Sequence, residues 1–192
     1  MQHRLVLSAL VLALAAPLAL AQPSTWNIDP QHSSVGFTVK HMSISNVRGR
    51  FGKTSGVIVY NQADLAKSSV KVAIDLAGVD TSEPARDAHL KTADFFDVAQ
   101  YPTATFTSTS VSGGGGHLKV AGLLNLHGVV KPVVLEVEGP EPPVPGADKK
   151  LHTGFTATAL VHRSDFGLGA KFPNAMVSED VKLSIDVEAV LQ

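Results

Sequence analysis

The chain carries eight histidines and no cysteine, so thiol nucleophiles, disulfides and lipidation at a cysteine are excluded. His117 and His127 share one face of their segment by even spacing, as do His152 and His162. Each pair is ten residues apart; ten residues at about 3.3 Å each span roughly 33 Å, too far for either pair to chelate one ion. A metal site would need histidines from different strands. Asp165-Phe166-Gly167 matches a kinase triplet, but no Gly-rich phosphate loop or catalytic-loop sequence accompanies it, and it reads as a turn. No Gly-x-Ser-x-Gly elbow or His-Glu-x-x-His motif occurs. The residue types therefore predict no catalytic group, no metal site and no cofactor.

The elements that must position these residues alternate apolar and polar side chains at a period of two. Val181, Leu183, Ile185 and Val187 face one way, and Lys182, Ser184, Asp186 and Glu188 the other. The pattern predicts eight strands near Ser33 to Lys40, Val47 to Tyr60, Ser68 to Leu76, Thr103 to Val111, His117 to Leu126, Val129 to Glu138, Leu151 to Val161 and Asp180 to Leu191. Ser112 to Gly116 is a hairpin loop and Gly139 to Lys150 a longer connection. Between strands three and four, Ser82 is positioned to cap a short helix that has Glu83 and Pro84 in its first turn and runs to Lys91. The fold class is all-β: an eight-stranded antiparallel lipocalin-like barrel with a helical insertion between strands 3 and 4. An outer-membrane barrel alternates in the same way, but eight Phe, two Tyr and one Trp are too few for two interfacial girdles, which favours a soluble barrel.

Such a barrel either fills its interior with side chains or holds one small ligand. The apolar face offers Phe37, Val39, Val72, Ile74, Phe106, Leu118, Val120, Leu124, Phe155 and Ala157 as ligand contacts, and small residues among the large ones (Ala104, Gly122, Ala159) either leave room or fit the taper of a packed core. If strands run up and down in order, the odd ones finish together and bring His41, His127, His162 and Arg163 to one rim, beside the helix. Arg48, Arg50 and Lys131, near the starts of even strands, add positive charge there. That rim would recognise a polar or phosphorylated head group, assist modification of a bound lipid, or simply be a solvated edge.

At the N-terminus Arg4 precedes an apolar run from Leu5 to Ala16, and Ala19-Leu20-Ala21 supplies small residues for cleavage. Residues 1–21 therefore read as a signal peptide and 22–192 as one domain, exported to the periplasm. Later apolar segments are too short and interrupted to span a bilayer as helices. The formal charge of −1 gives no electrostatic reason to expect nucleic acid as a partner. No sequence signal specifies an oligomeric state.

In order and spacing, several short motifs resemble the YceI family of exported, lipocalin-like proteins associated with binding polyisoprenoids and related lipids. They begin with Trp26-Asn27-Ile28-Asp29, His32-Ser33, Val35-x-Phe37-x-Val39-x-His41 and Gly49-x-Phe51. Arg86-Asp87-x-His89-Leu90, Asp94-Phe95-Phe96-Asp97 and Tyr101-Pro102 follow. Gly122-x-Leu124, Leu126-His127-Gly128-Val129, Lys131-Pro132 and Arg163-x-Asp165-Phe166-Gly167 complete the set. The resemblance implies a barrel and a long-chain isoprenoid or fatty lipid as partner. It assigns no contact residue, so the ligand-facing list rests on strand alternation.

Overall fold

The computed structural model describes residues 22–192; the expected signal peptide, residues 1–21, lies outside the described residues. Eleven strands form one antiparallel sheet: β1 (Ser24–Ile28), β2 (Ser34–His41), β3 (Ser45–Arg50), β4 (Thr54–Tyr60), β5 (Ser69–Asp75), β6 (Thr103–Gly114), β7 (His117–Leu126), β8 (Val129–Glu138), β9 (Val144–Pro145), β10 (Leu151–His162) and β11 (Val177–Leu191). The short helix α1 is Pro84–Leu90.

Eleven strands make an eight-position closed barrel because three positions are each shared by two strands: β1 with β2, β3 with β4, and β8 with the two-residue β9, which pair in succession along β10. β11 pairs with β2 through Val181 to Asp186 and with β1 through Ala189 to Leu191, so β1 and β2 occupy one edge in tandem. Pro30, which has no N–H, sits in the break, and Ser33 spans it by donating to and accepting from the Glu188 backbone. β3 and β4 repeat the arrangement. Phe51 donates to Val35 O and Gly52 to Asp75 O, so the chain changes partner there and the expected single strand Val47 to Tyr60 is split. β1 precedes the first expected strand; its five residues end just before Asp29-Pro30, too short a run for periodicity to single out.

Two other boundaries differ. The β6–β7 ladder continues to Gly114 and His117, which leaves only Gly115 and Gly116 at the turn, both with positive φ. Helix α1 is capped by Glu83, whose carboxylate accepts from Ala85 N, while Ser82 sits in the left-handed region and cannot cap. The remaining expected strands agree within a few residues, and β7 and β8 match at both ends.

Inward-facing residues form two apolar groups. Trp26, Ile28, Ile58, Phe155 and Ala189 plug one end, and the larger group runs from mid-barrel to the other end, where Phe96, Phe166 and Leu168 cover it. Gly122 shows what one small residue does: a Cβ there would collide with the Phe106 ring, so the space is already filled by a neighbour.

Candidate functional site

Inside the barrel lie two apolar chambers, an outer one of about 270 Å³ under the lid and an inner one of about 110 Å³ toward the plugged end. Val35, Ile74, Leu124 and Leu183, from β2, β5, β7 and β11, border both and form a waist between them. An apolar cavity of about 150 Å³ already holds benzene, so the outer chamber has room for a branched hydrocarbon segment. Phe37 and Val39 line the outer chamber; Val72, Phe106, Leu118, Val120, Phe155 and Ala157 line the inner; Ile74 and Leu124 belong to the waist. The structure thus brings all ten alternation-derived residues to cavity walls. Ala104 and Ala157 leave open space, whereas Gly122 accommodates Phe106. Thr54, fully buried on the inner wall, has a hydroxyl without a protein partner.

Two chain segments build the lid. Phe95 stacks on Phe172 at 5.4 Å, and His89 from α1 meets both rings edge-on at 5.2 and 5.8 Å. Lys171 donates to Asp94 at 2.6 Å and His89 Nε2 lies 3.3 Å from the same carboxylate. These two bonds, Lys171 first, hold the Asp94 carboxyl below its ordinary pKa. Phe51 continues the aromatic layer inward, 5.1 Å from Phe37 and 5.4 Å from Phe96.

All four expected rim residues lie at the lidded end, but their side chains diverge. His41 lines the outer chamber. Arg163 also borders it, yet its guanidinium donates to the carbonyls of Leu168, Gly169, Phe172, Val177 and Ser178 and to Asn174 Oδ1. It clamps the lid segment and has little left for a ligand. His127 sits in the β7–β8 turn, with Nδ1 2.9 Å from Phe166 O and its ring 5.1 Å from Tyr101, outside the chamber walls. His162 is exposed and pairs with Asp180 at 2.9 Å. Of the added cations, Arg50 pairs with Asp80 at 3.0 Å.

Strand alternation missed Lys40, Arg86, His89, Phe95, Phe96, Phe172 and Met176, which complete the chamber and its mouth. Arg86, His89, Phe95 and Phe96 stand within the family-like motifs, which is the signal that could have ranked them. Arg86 donates through Nε to Thr81 Oγ1 at 2.7 Å and through Nη2 to Thr81 O at 2.8 Å, and Thr81 in turn donates to Asp87 at 2.6 Å. No Asp or Glu borders the outer chamber, while Lys40, His41 and Arg86 border it without an ion-pair partner among the described residues. The mouth therefore favours a negative group.

A second titratable cluster lies at the opposite end. Asp29, His32 and Glu188 place donor atoms within 4.8 Å of one another, an arrangement that could hold a cation. They also satisfy each other: His32 Nδ1 is 2.7 Å from Asp29, and His152 bridges Glu188 at 2.7 Å and Asp148 at 3.0 Å.

Comparison with known proteins follows the same outline. Residues 26–189 match the YceI-like domain model. Protein YceI of Escherichia coli O157:H7 is 36% identical over 185 residues, spanning 94% of this chain and 93% of that protein. The crystal structure of a Campylobacter jejuni YceI protein superposes with a TM-score of 0.71 at 35% identity, over 80% of this chain and 90% of that one. A polyisoprenoid-binding domain from Saccharophagus degradans shares the fold, with a TM-score of 0.63 at 19% identity over 89% of this chain and 100% of its own. None of the described helices is long and apolar enough to cross a membrane. With its motifs in order and its barrel matched along nearly the full described length, the chain belongs to the YceI family.

Proposed function

We propose that the chain is an exported carrier that holds the tail of a long-chain isoprenoid or fatty lipid inside the barrel, with the lipid's polar head at the lidded mouth. The observation that carries this reading is the pair of adjacent apolar chambers that share the walls Val35, Ile74, Leu124 and Leu183, with an apolar plug at the far end. A chain threaded from the mouth would be desolvated along its length, at about 0.8 kcal/mol per buried methylene before ordering costs. Lys40 and Arg86, which have no ion-pair partner among the described residues, and the polar His41 suit an anionic or strongly polar head. The Saccharophagus domain of the same fold carries polyisoprenoid binding in its name, and the apolar lining of these chambers suits a hydrocarbon chain of that class. The reading is of a binding protein: desolvation and charge complementarity supply affinity without bond chemistry.

The test is a chain-length series. Ala157 faces the inner chamber, and Ala157→Phe would fill it at a packing cost of about 1–3 kcal/mol. Titration with prenyl alcohols and fatty acids of increasing length should show long chains losing about tenfold or more in affinity, the equivalent of roughly two desolvated methylenes. Short chains that occupy only the outer chamber should bind as before. Equal affinities of wild type and variant for every length, with the variant folded, would overturn the reading.

A further inference from the structure

The mouth is surrounded by large apolar side chains that face water. Ile44 is 80% exposed, Met42 55% and Met176 45%. They are neighbours: Met42 and Ile44 form the tip between β2 and β3, and Met42 N donates to Met176 O at 2.8 Å. Met42 and Ser43 have φ of 50° and 60°, a left-handed conformation that disfavours residues with a Cβ, so the tip presents methionine where glycine or asparagine would be easier. Burial in the folded chain does not explain this tip.

Basic residues gather around it. Lys40, His41 and Arg48 flank the tip and Arg86 stands across the mouth, none with an ion-pair partner among the described residues. Of the carboxylates at the lidded end, Asp180 pairs with His162 and Asp94 with Lys171 and His89, while Glu179 accepts from Ser164 and keeps its negative charge. Apolar side chains at an exposed tip, flanked by Lys40 and Arg48 without ion-pair partners among the described residues, match the two layers of an anionic bilayer surface, hydrocarbon beneath phosphate. Met176 and His41 also line the outer chamber, so the tip and the cavity mouth are continuous.

We infer that the Met42–Ile44 tip, with Met176, docks the mouth of the barrel onto an anionic lipid bilayer. Its biological purpose, taking up or delivering lipid at the surface, rests on the carrier reading; the docking itself does not. In the docked state Met42 and Ile44 enter the interfacial layer, Lys40 and Arg48 lie at phosphate level, and the mouth opens toward the membrane rather than toward water.

Flotation with vesicles tests this, using phosphatidylcholine alone and phosphatidylcholine with phosphatidylglycerol in equal parts. The full chain should float with the anionic vesicles and lose binding as salt rises. Met42→Asp/Ile44→Asp should reduce the bound fraction by about tenfold or more, since a carboxylate at the interface is both desolvated and repelled. Arg48→Gln should weaken binding to the anionic vesicles alone, by about fivefold. Val144→Asp, an exposed apolar position in β9, should behave as wild type. Absence of vesicle binding, or a folded tip variant that binds as well as wild type, would overturn the inference. So would a tip variant that abolishes self-association while leaving vesicle binding intact, because the tip would then serve a second copy of the chain. Docking without transfer of lipid into the barrel would refute the carrier reading alone; uptake of micellar lipid without docking would refute the tip.

Discussion

At the residue scale, Arg163 shows how one cation's role follows from its partners rather than from its position. It is 5% exposed, and its hydrogen bonds go to carbonyls and one amide oxygen of the segment that closes the barrel. Its removal would leave several acceptors unpaired. Arg163→Ala should cost about 3 kcal/mol or more, and Arg163→Lys should not restore it, because an ammonium lacks the planar fork that reaches so many acceptors. Chemical denaturation of both variants checks this; a lysine variant as stable as wild type would contradict the clamp. Alternation assigned faces correctly for the ten wall residues because a strand's side chains have only two directions. It gave no such guidance for Arg163, His127 or the lid, whose side chains leave irregular backbone and are directed by tertiary hydrogen bonds.

At the element scale, the end opposite the mouth is fastened by a ladder of charges that runs from Asp29 through His32, Glu188 and His152 to Asp148. It ties the β1–β2 corner to β11, β10 and the 139–150 connection. The Asp29 hydrogen bond raises the His32 pKa, and the Asp148 and Glu188 bonds raise that of His152. Asp29 is lowered by the Gln31 backbone and His32, and Asp148 by His152 and the Lys150 backbone. A raised histidine pKa gives stability that is complete below about 6.5 and fades as pH rises through the raised value. A lowered carboxyl pKa gives stability present above about 3.9 and lost as pH falls through the lowered value. The ladder is therefore strongest between these limits. The melting-temperature gap between wild type and His32→Gln/His152→Gln should be widest near pH 5–6 and shrink as pH rises past neutrality, less markedly in high salt. A gap independent of pH would mean that the histidines act by packing alone. The least legible elements in the sequence were β1, which anchors one end of this ladder, and the β3–β4 break, which lies outside it. β1 is short and the β3–β4 break falls inside an alternating run, so their places depend on which edge of β11 or β5 each segment can pair with. The uninterrupted hairpin of β7 and β8 was readable end to end because both periodicity and its His127-Gly128 turn are local.

At the scale of the whole molecule, the closed sheet leaves two unlike ends. One is plugged by Trp26, Phe155 and their neighbours and fastened by the charge ladder; the other carries a lid, basic residues without ion-pair partners among the described residues, and an apolar tip. Between them runs an apolar interior whose largest spaces are not filled by side chains. We propose that a barrel with this polarity is a container loaded from one side. Native mass spectrometry of the protein purified without detergent from the envelope of its own cells, with extraction and identification of the released lipid, tests it most directly. The account predicts one long-chain prenyl or fatty lipid per chain, lost or shortened in Ala157→Phe. A wild-type protein that arrives empty and takes up no prenyl or fatty lipid on addition would contradict it.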